Sequence, residues 1–328
     1  MLAATASIAS VSPLRACAGG RVTVHGRGFD PDALIGVTVG GETARVSFAT
    51  GDRVIVTVPP DLEGGPAAIR FSDLPGETAY VSIGAVWATG LHQVDNPVFD
   101  AAGNLYVTYS GSRGQEAPVS VFRVTPGGSR EPFISGIVNA TSMTFGPDKR
   151  LYVSSRFDGA VYKVADDGTY EQVVSDLGVA CGVAFDADGC LYVGDRSGTI
   201  FRVRDGKATA FASVPASVAA FHLAMSADGE LFVSAPTLGS YDFVYRIDRD
   251  GVVRTLGVPM GRPQGLAFGP DGALYVVDAL AGSSGLYRVS LDTLTTELMV
   301  SSGALVGVAF GPSGELAVCS NETAFRFE

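Results

Sequence analysis

The chain has 328 residues, of which 46% are hydrophobic, and its formal net charge is −11. That length can supply two domains with substantial cores. A nucleic-acid-binding surface is normally basic, so the acidic balance argues against a nucleic-acid partner and against an anionic membrane surface. No apolar run of about 18 residues occurs, so no transmembrane segment is predicted. The first residues lack the basic segment and apolar core of a signal peptide.

Residues 1–84 alternate short apolar strands with Gly- and Pro-rich turns at about 8–12-residue spacing, which favours a β-sandwich. Five motifs punctuate this module: Ser12-Pro13, Ala18-Gly19-Gly20, Gly26-Arg27-Gly28-Phe29, Gly40-Gly41 and Val58-Pro59. Together they resemble the IPT/TIG immunoglobulin-like domain. The resemblance implies a sandwich that serves as a spacer or docking domain without catalysis. It also implies an extracytoplasmic protein, periplasmic or secreted.

From residue 85 to residue 328, one hairpin pattern recurs six times at intervals of 40 to 46 residues. Each copy has an aromatic residue or Met, a turn that usually contains Asp-Gly or Ser-Gly, and a strand such as Leu-Tyr-Val. The Gly of such a turn adopts positive φ without strain, which makes this pair a strong hairpin signal. The six copies are residues 99–107, 145–153, 185–193, 225–233, 268–276 and 310–318.

A third strand with an aromatic–basic pattern follows each hairpin, as in Val161-Tyr162-Lys163-Val164, and a fourth strand follows that one. Four strands in each period of about 40–45 residues are typical of a propeller blade. One blade cannot bury both of its faces, so the blades must close into a ring. The sixth copy ends after its third strand, and a spare strand at 85–90 precedes the first copy. We therefore predict an all-β protein, a sandwich plus a six-bladed β-propeller, closed by residues 85–90.

The repeats resemble those of NHL-repeat propellers and, more distantly, those of the gluconolactonase/senescence-marker and strictosidine-synthase-like propellers. The resemblance covers all six copies through the Pro-Asp-Gly and Leu-Tyr-Val motifs. It implies a ligand site at the ring mouth, where the innermost strands start and the loops after the second strands lie. The predicted ligand-binding residues are the polar, non-repeating ones at these places: Asn96, Tyr109, Ser142, Arg156, Cys181, Arg196, Arg262 and Gln264.

A metal site is a further hypothesis, because the gluconolactonase-like group holds a metal ion on a Glu, an Asn and an Asp at these strand starts. Here Asp95 stands at the first place, with Cys181, His222 and Gln264 at later ones. Ca²⁺ requires several oxygen ligands, and the ring offers only Asp95, Asn96 and Gln264. Asp95, Cys181 and His222 would suit Zn²⁺ with one open position. In the alternative, these side chains line a polar, water-filled channel without a metal.

His222 is the one histidine of three that is placed for acid–base chemistry. We predict that it pairs with Asp195 or Asp278 across the mouth, while nearby arginines hold a carboxylate or an oxyanion. In the alternative, the two Asp residues cap loops.

Two functions follow from these residues. The favoured one is a binding protein that holds a small molecule, glycan or peptide at the mouth, because no catalytic set is complete. The alternative is a lactonase-like hydrolase or lyase, with or without a metal. We expect the four cysteines to be free thiols and the protein to be a monomer.

Overall fold

A computed structural model of the protein describes residues 6–32, 34, 36–219, 221–279 and 283–327. All regular secondary structure in these ranges is β-strand, as the sequence predicts. No helix of the described residues is therefore long and apolar enough to cross a membrane. The strands form an N-terminal sandwich followed by a six-bladed propeller.

The sandwich contains nine strands: β1 (Ser7–Ser12), β2 (Arg15–Ala16), β3 (Arg21–Arg27), β4 (Thr38–Val39), β5 (Glu42–Thr43), β6 (Arg45–Ala49), β7 (Arg53–Thr57), β8 (Gly65–Arg70) and β9 (Thr78–Ile83). One sheet has the order β1-β3-β7-β6, and the facing sheet contains β2-β9-β8-β4-β5. Alternate side chains build the core between them, since Val22 and Val24 on β3 and Val54 and Val56 on β7 are fully buried.

The propeller blades follow in chain order. Blade 1 is β11 (Val98–Phe99), β12 (Leu105–Thr108), β13 (Val121–Val124) and β14 (Arg130–Ile134); blade 2 is β15 (Ala140–Phe145), β16 (Leu151–Ser155), β17 (Ala160–Val164) and β18 (Tyr170–Val174); blade 3 is β19 (Ala180–Phe185), β20 (Leu191–Asp195), β21 (Thr199–Arg204) and β22 (Lys207–Ser213). Blade 4 is β23 (His222–Met225), β24 (Leu231–Ser234), β25 (Asp242–Ile247) and β26 (Val253–Met260); blade 5 is β27 (Pro263–Phe268), β28 (Leu274–Asp278), β29 (Gly285–Val289) and β30 (Thr296–Ser301). Blade 6 is β31 (Gly307–Phe310), β32 (Leu316–Cys319), β33 (Thr323–Phe327) and, from the other end of the domain, β10 (Ala85–Thr89).

The Asp of the turn ties the hairpin to the third strand. In blade 5, Asp271 accepts hydrogen bonds from Tyr275 Oη at 3.3 Å and from Arg288 Nε at 2.8 Å. In blade 2, Asp148 forms the corresponding ion pair with Lys163 at 2.7 Å. In these two blades the basic residue of the third-strand pattern therefore pairs with the Asp of the turn.

The predicted closure of the ring is confirmed. β10 pairs antiparallel with β33, with Val86 opposite Phe325 and Thr89 opposite Thr323. The innermost strands contact one another in succession around the ring, including β31 with β11. Blade 6 is thus assembled from both ends of the propeller sequence, and blades 1 and 4 face each other across the axis.

One short strand joins the sandwich to blade 5. β2 pairs in parallel with both β9 and β30, so the sandwich sheet and blade 5 form one nine-stranded sheet. Cys17 N donates to Ser301 O at 2.8 Å, and Arg21 N donates to Ser301 Oγ at 2.7 Å. At the passage between the domains, a Cβ on Gly84 would meet the Phe327 ring at 2.8 Å. The sandwich therefore packs directly on the propeller.

Candidate functional site

The innermost strands of three blades bulge where the sequence places candidate site residues. The pairing register shifts between Ala140 and Met143, between Ala180 and Val183, and between Pro263 and Leu266. A bulge leaves residues out of the ladder and redirects their side chains, and bulges are common beside binding sites. The residues released in this way include Ser142, Cys181 and Gln264.

Hydroxyl groups on the second strands brace these bulges against the neighbouring blade. Ser154 Oγ donates to Cys181 O at 2.6 Å, and Ser234 Oγ donates to Gln264 O at 2.5 Å. Ser142 Oγ accepts a 3.3 Å hydrogen bond from Val183 N. The bulged backbone is therefore held by buried polar contacts between blades, and Ser142 is part of that bracing.

Asp95 and His222 form a buried hydrogen bond across the channel. His222 Nδ1 lies 2.5 Å from Asp95 Oδ1, and the two residues are 0% and 1% exposed. Because an ionised carboxylate only accepts, the imidazole donates from Nδ1. Asp95 Oδ2 and His222 Nε2 are buried and have no hydrogen-bond partner among the described residues.

The predicted pairing of His222 with Asp195 or Asp278 is wrong, because His222 pairs with Asp95. Asp195 Oδ1 accepts from Val179 N at 2.8 Å, and Ser197 Oγ donates to Asp195 Oδ2. Asp278 accepts from the backbone N–H groups of Gly261 at 2.9 Å and Arg262 at 2.7 Å. Both carboxylates hold the segment that leads into an innermost strand, so they cap loops. The sequence analysis named Asp95 and His222 together as candidate metal ligands, but their direct contact joins opposite blades and depends on the closed ring.

A pocket of about 320 Å³ opens at the mouth of the ring. Of the predicted ligand-binding residues, four line it: Arg156, Cys181, Arg196 and Gln264. Its lining also includes Gln93, Val94, Thr141, Val218, Ala219, Val306 and Asn321. Gln93 was missed because it lies just before Asp95, outside the strand starts from which the candidates were taken.

The other predicted ligand-binding residues do not line this pocket. Asn96 joins three blades, because its Nδ2 donates to Leu266 O at 2.8 Å and its Oδ1 accepts from Val308 N at 3.0 Å. The Tyr109 ring packs edge-on against His92 with 6.0 Å between centroids. Arg262 contributes its backbone N–H to Asp278 and has an exposed side chain.

The pocket is electropositive although the protein is acidic. Arg156 is partly buried, and that burial together with the charges of Arg196 and Arg113 lowers its pKa. Burial, and secondarily the Arg156 charge, also lowers the pKa of His92. None of the carboxylates in the described residues forms an ion pair with these three arginines. Arg156 and Arg196 therefore line the pocket, and Arg113 lies close enough for its charge to act on Arg156.

Asn139 positions one of these arginines. It is 1% exposed and adopts a left-handed conformation with φ of 51°. Its Nδ2 donates to Ser110 O at 2.5 Å and Ser112 O at 2.9 Å, and its Oδ1 accepts from Gly114 N at 2.7 Å. These three hydrogen bonds fix the loop that carries Arg113.

The residues at the mouth do not fit a metal ion. No group of three or more His, Cys, Asp or Glu side chains converges anywhere in the described residues, and Cys181 therefore does not complete a set with Asp95 and His222. Burial, and secondarily the Asp95 charge, raises the pKa of Cys181 to about 12. The thiol is thus protonated at neutral pH in the metal-free protein. The four cysteines of the chain are buried free thiols, as predicted.

Residues 6–72 match the IPT/TIG domain family, which confirms the interpretation of the N-terminal module. No curated protein sequence matches the chain significantly. Solved structures of similar fold include an auxiliary nutrient binding protein from Bacteroides ovatus, which is 14% identical with a TM-score of 0.59 over 99% of this chain and 98% of that one. A gluconolactonase from Xanthomonas campestris is 14% identical, with a TM-score of 0.61 over 74% of this chain and 88% of that one. A virginiamycin B lyase from Staphylococcus aureus is 13% identical, with a TM-score of 0.54 over 74% of this chain and 86% of that one.

At these identities the likeness shows the fold alone. The chain is an IPT/TIG domain followed by a propeller of the fold that these binding proteins and enzymes share.

Proposed function

We propose that the protein binds a small anionic molecule at the propeller mouth. The observation that carries this proposal is the placement of Arg156 and Arg196 in the central pocket without a carboxylate partner in the described residues. The two positive charges repel each other, so the entry of a negative charge lowers the free energy of the pocket. A planar guanidinium group also matches a carboxylate or phosphate group through paired hydrogen bonds.

The size of the pocket narrows the class of ligand. Its volume of about 320 Å³ lies at the lower end of the range for small-molecule sites. A glycan or a peptide would extend well beyond it. The amide groups of Gln264 and Asn321 and the Thr141 hydroxyl supply neutral hydrogen-bonding groups beside the arginines. We therefore favour a metabolite-sized carboxylate or phosphate over the glycan and peptide alternatives.

The comparisons are consistent with a binding function and name no ligand for this chain. A protein that covers 99% of this chain is described as an auxiliary nutrient binding protein. That alignment includes the sandwich, but a virginiamycin B lyase from Staphylococcus aureus also covers 100% of this chain. The choice of binding therefore rests on the geometry of the pocket.

The test is calorimetric titration with inorganic phosphate, succinate and benzoate. We expect saturable binding of at least one, weakened about ten- to hundredfold by Arg156→Ala, because a hydrogen bond to a charged group is lost. Arg204→Ala is the matched control, since Arg204 lies at the opposite end of the strands of blade 3. Absence of saturable binding for all three anions, or equal loss in both variants, would overturn the proposal.

A second candidate function is a hydrolase or lyase, and the Asp95–His222 pair is the observation that favours it. A carboxylate that orients an imidazole from Nδ1 leaves Nε2 as the group for proton transfer. However, Nε2 is fully enclosed, and a general base must reach the proton that it removes. The geometry therefore supports binding more strongly than catalysis.

His222→Ala separates the two functions. A general base accounts for about 10²–10⁴-fold in rate, so an enzyme that used His222 would lose lactone or ester turnover by that factor. Under the binding proposal, the unmodified protein hydrolyses neither class of substrate, and the variant changes anion affinity only modestly. Turnover by the unmodified protein that disappears in His222→Ala would favour the enzymatic function over the binding function.

Location and association remain predictions. The extracytoplasmic location rests on the resemblance to IPT/TIG proteins, and the monomeric state and the lack of a nucleic-acid partner rest on the acidic composition. Cell fractionation and light scattering would test them.

A further inference from the structure

A second hollow opens between blades 4 and 5, away from the central pocket. It has a volume of about 670 Å³ and shares no lining residue with the mouth. β25, β26 and the residues just before β25 form one wall, and β28, β29 and β30 contribute to the other. The hollow therefore lies in the groove between two blades, where a ligand would contact both.

Aromatic and apolar side chains belong to half of the residues that line this hollow. Tyr241 is 62% exposed and lines the hollow. Phe243 and Tyr287 are partly buried and complete an aromatic lining, with Pro259 and Met260 beside them. Tyr287 Oη donates to Ser283 O at 2.6 Å, which fixes the orientation of its ring.

One buried negative charge lies at this hollow. Asp278 is 5% exposed, and both of its oxygens accept backbone N–H groups, so it is a carboxylate. It has no ion pair with any described residue, and none of the lining residues is Lys, Arg or His. Asp278 and Tyr287 both line the hollow, and burial, and secondarily the Asp278 charge, raises the pKa of Tyr287.

We propose that the hollow binds an organic cation, namely a quaternary or substituted ammonium group. Aromatic faces carry negative electrostatic potential and attract such a cation, and a carboxylate nearby supplies the opposite charge. A strongly hydrated inorganic cation would need several oxygen ligands in place of its water, and the lining is mainly apolar. A neutral apolar ligand would gain nothing from the Asp278 charge.

Choline and its neutral isostere 3,3-dimethylbutan-1-ol provide the test, because they share a shape and differ in charge. We expect choline to bind in calorimetry or NMR titration of the full chain, at least about fivefold more tightly than the alcohol. Tyr241→Ala should weaken choline binding about tenfold, and Tyr241→Phe should retain it, because the ring face and not the hydroxyl makes the contact.

Three controls separate this site from the mouth and from misfolding. Leu238→Ala changes an 86% exposed residue of the same loop that does not line the hollow, and should leave choline binding unchanged. Arg156→Ala should also leave it unchanged. Tyr241→Ala should melt like the unmodified protein, since the side chain is exposed.

Equal affinity for the two isosteres, lack of choline binding at millimolar concentration, or full binding by Tyr241→Ala would each overturn the proposal. These outcomes are independent of the anion titrations at the mouth.

Discussion

His222 of blade 4 and Asp95 of blade 1 meet across the axis of the ring, with 2.5 Å between Nδ1 and Oδ1. This contact therefore ties the two halves of the propeller together at the point where the channel begins.

We expect His222→Ala and Asp95→Ala each to lower the free energy of unfolding by about 3 kcal/mol, because each leaves a buried polar or charged partner unsatisfied. The double variant should lose less than the sum of the two, as contacting residues do. Denaturant unfolding of the three variants measures this coupling. Additive losses would show that the two side chains stabilise the fold independently.

The second hairpin places Lys149 where the fifth has Gly272, and both residues have positive φ, 62° and 73°. A residue with a Cβ is strained in this region by about 1–2 kcal/mol. Lys149→Gly should therefore stabilise the protein by about 1 kcal/mol, because it removes this strain. The ion pair of Asp148 with Lys163 is not affected by the substitution. Gly272→Ala is the reciprocal variant: its Cβ would meet nothing within 4 Å, so any loss reports the backbone alone. Thermal unfolding of both variants checks the pair, and a destabilised Lys149→Gly would contradict the account.

Trp87 anchors the strand that closes the ring. It is 6% exposed, its ring lies 5.7 Å from that of Phe99, and its Nε1 donates to Thr125 O at 3.0 Å. Trp87→Ala should cost about 3–5 kcal/mol, because a large buried side chain is lost from the contact between blades 6 and 1. Val86→Ala removes an exposed neighbour on the same strand and should cost less than about 0.5 kcal/mol. Equal and small effects in urea unfolding would indicate that this strand does not hold the ring closed.

The repeat predicts the fold well because each blade carries its own local signals. Turn chemistry and strand alternation are encoded within about ten residues, so the hairpins and the missing strand of blade 6 follow from the sequence. The junction was not predictable, since β2 is two residues long and pairs with a strand almost 300 residues away. Arg156 and Arg196 were found because their place in the repeat is a local signal. The Asp95–His222 contact is long-range and required the geometry of the closed ring.

Asn139 should control the anion site without lining the pocket, because it holds the loop of Arg113. Asn139→Gly retains access to the left-handed conformation while removing three hydrogen bonds. We expect it to weaken anion binding about tenfold, as a guanidinium contact becomes less well positioned. Arg113→Ala should weaken it similarly, and the double variant should weaken it little further. Additive effects in calorimetry would indicate that Asn139 acts on the pocket by another route.

The buried thiols make stability fall at alkaline pH. Burial, opposed by a hydrogen bond with Ser302, raises the pKa of Cys17 to about 12, and the pKa of Cys181 is also raised to about 12. The unfolded chain loses these protons near its ordinary pKa of about 8.5, whereas the folded chain keeps them, so each thiol lowers the free energy of unfolding by about 1.4 kcal/mol per pH unit between about 9 and 12. Cys17→Ala should make this slope shallower by the share of one thiol.

At pH 8 both thiols stay protonated in the folded protein, so a thiol-specific reagent should label them slowly there and rapidly in denaturant. Rapid labelling of the native protein would show that the thiols are accessible, and the alkaline slope would then need another source.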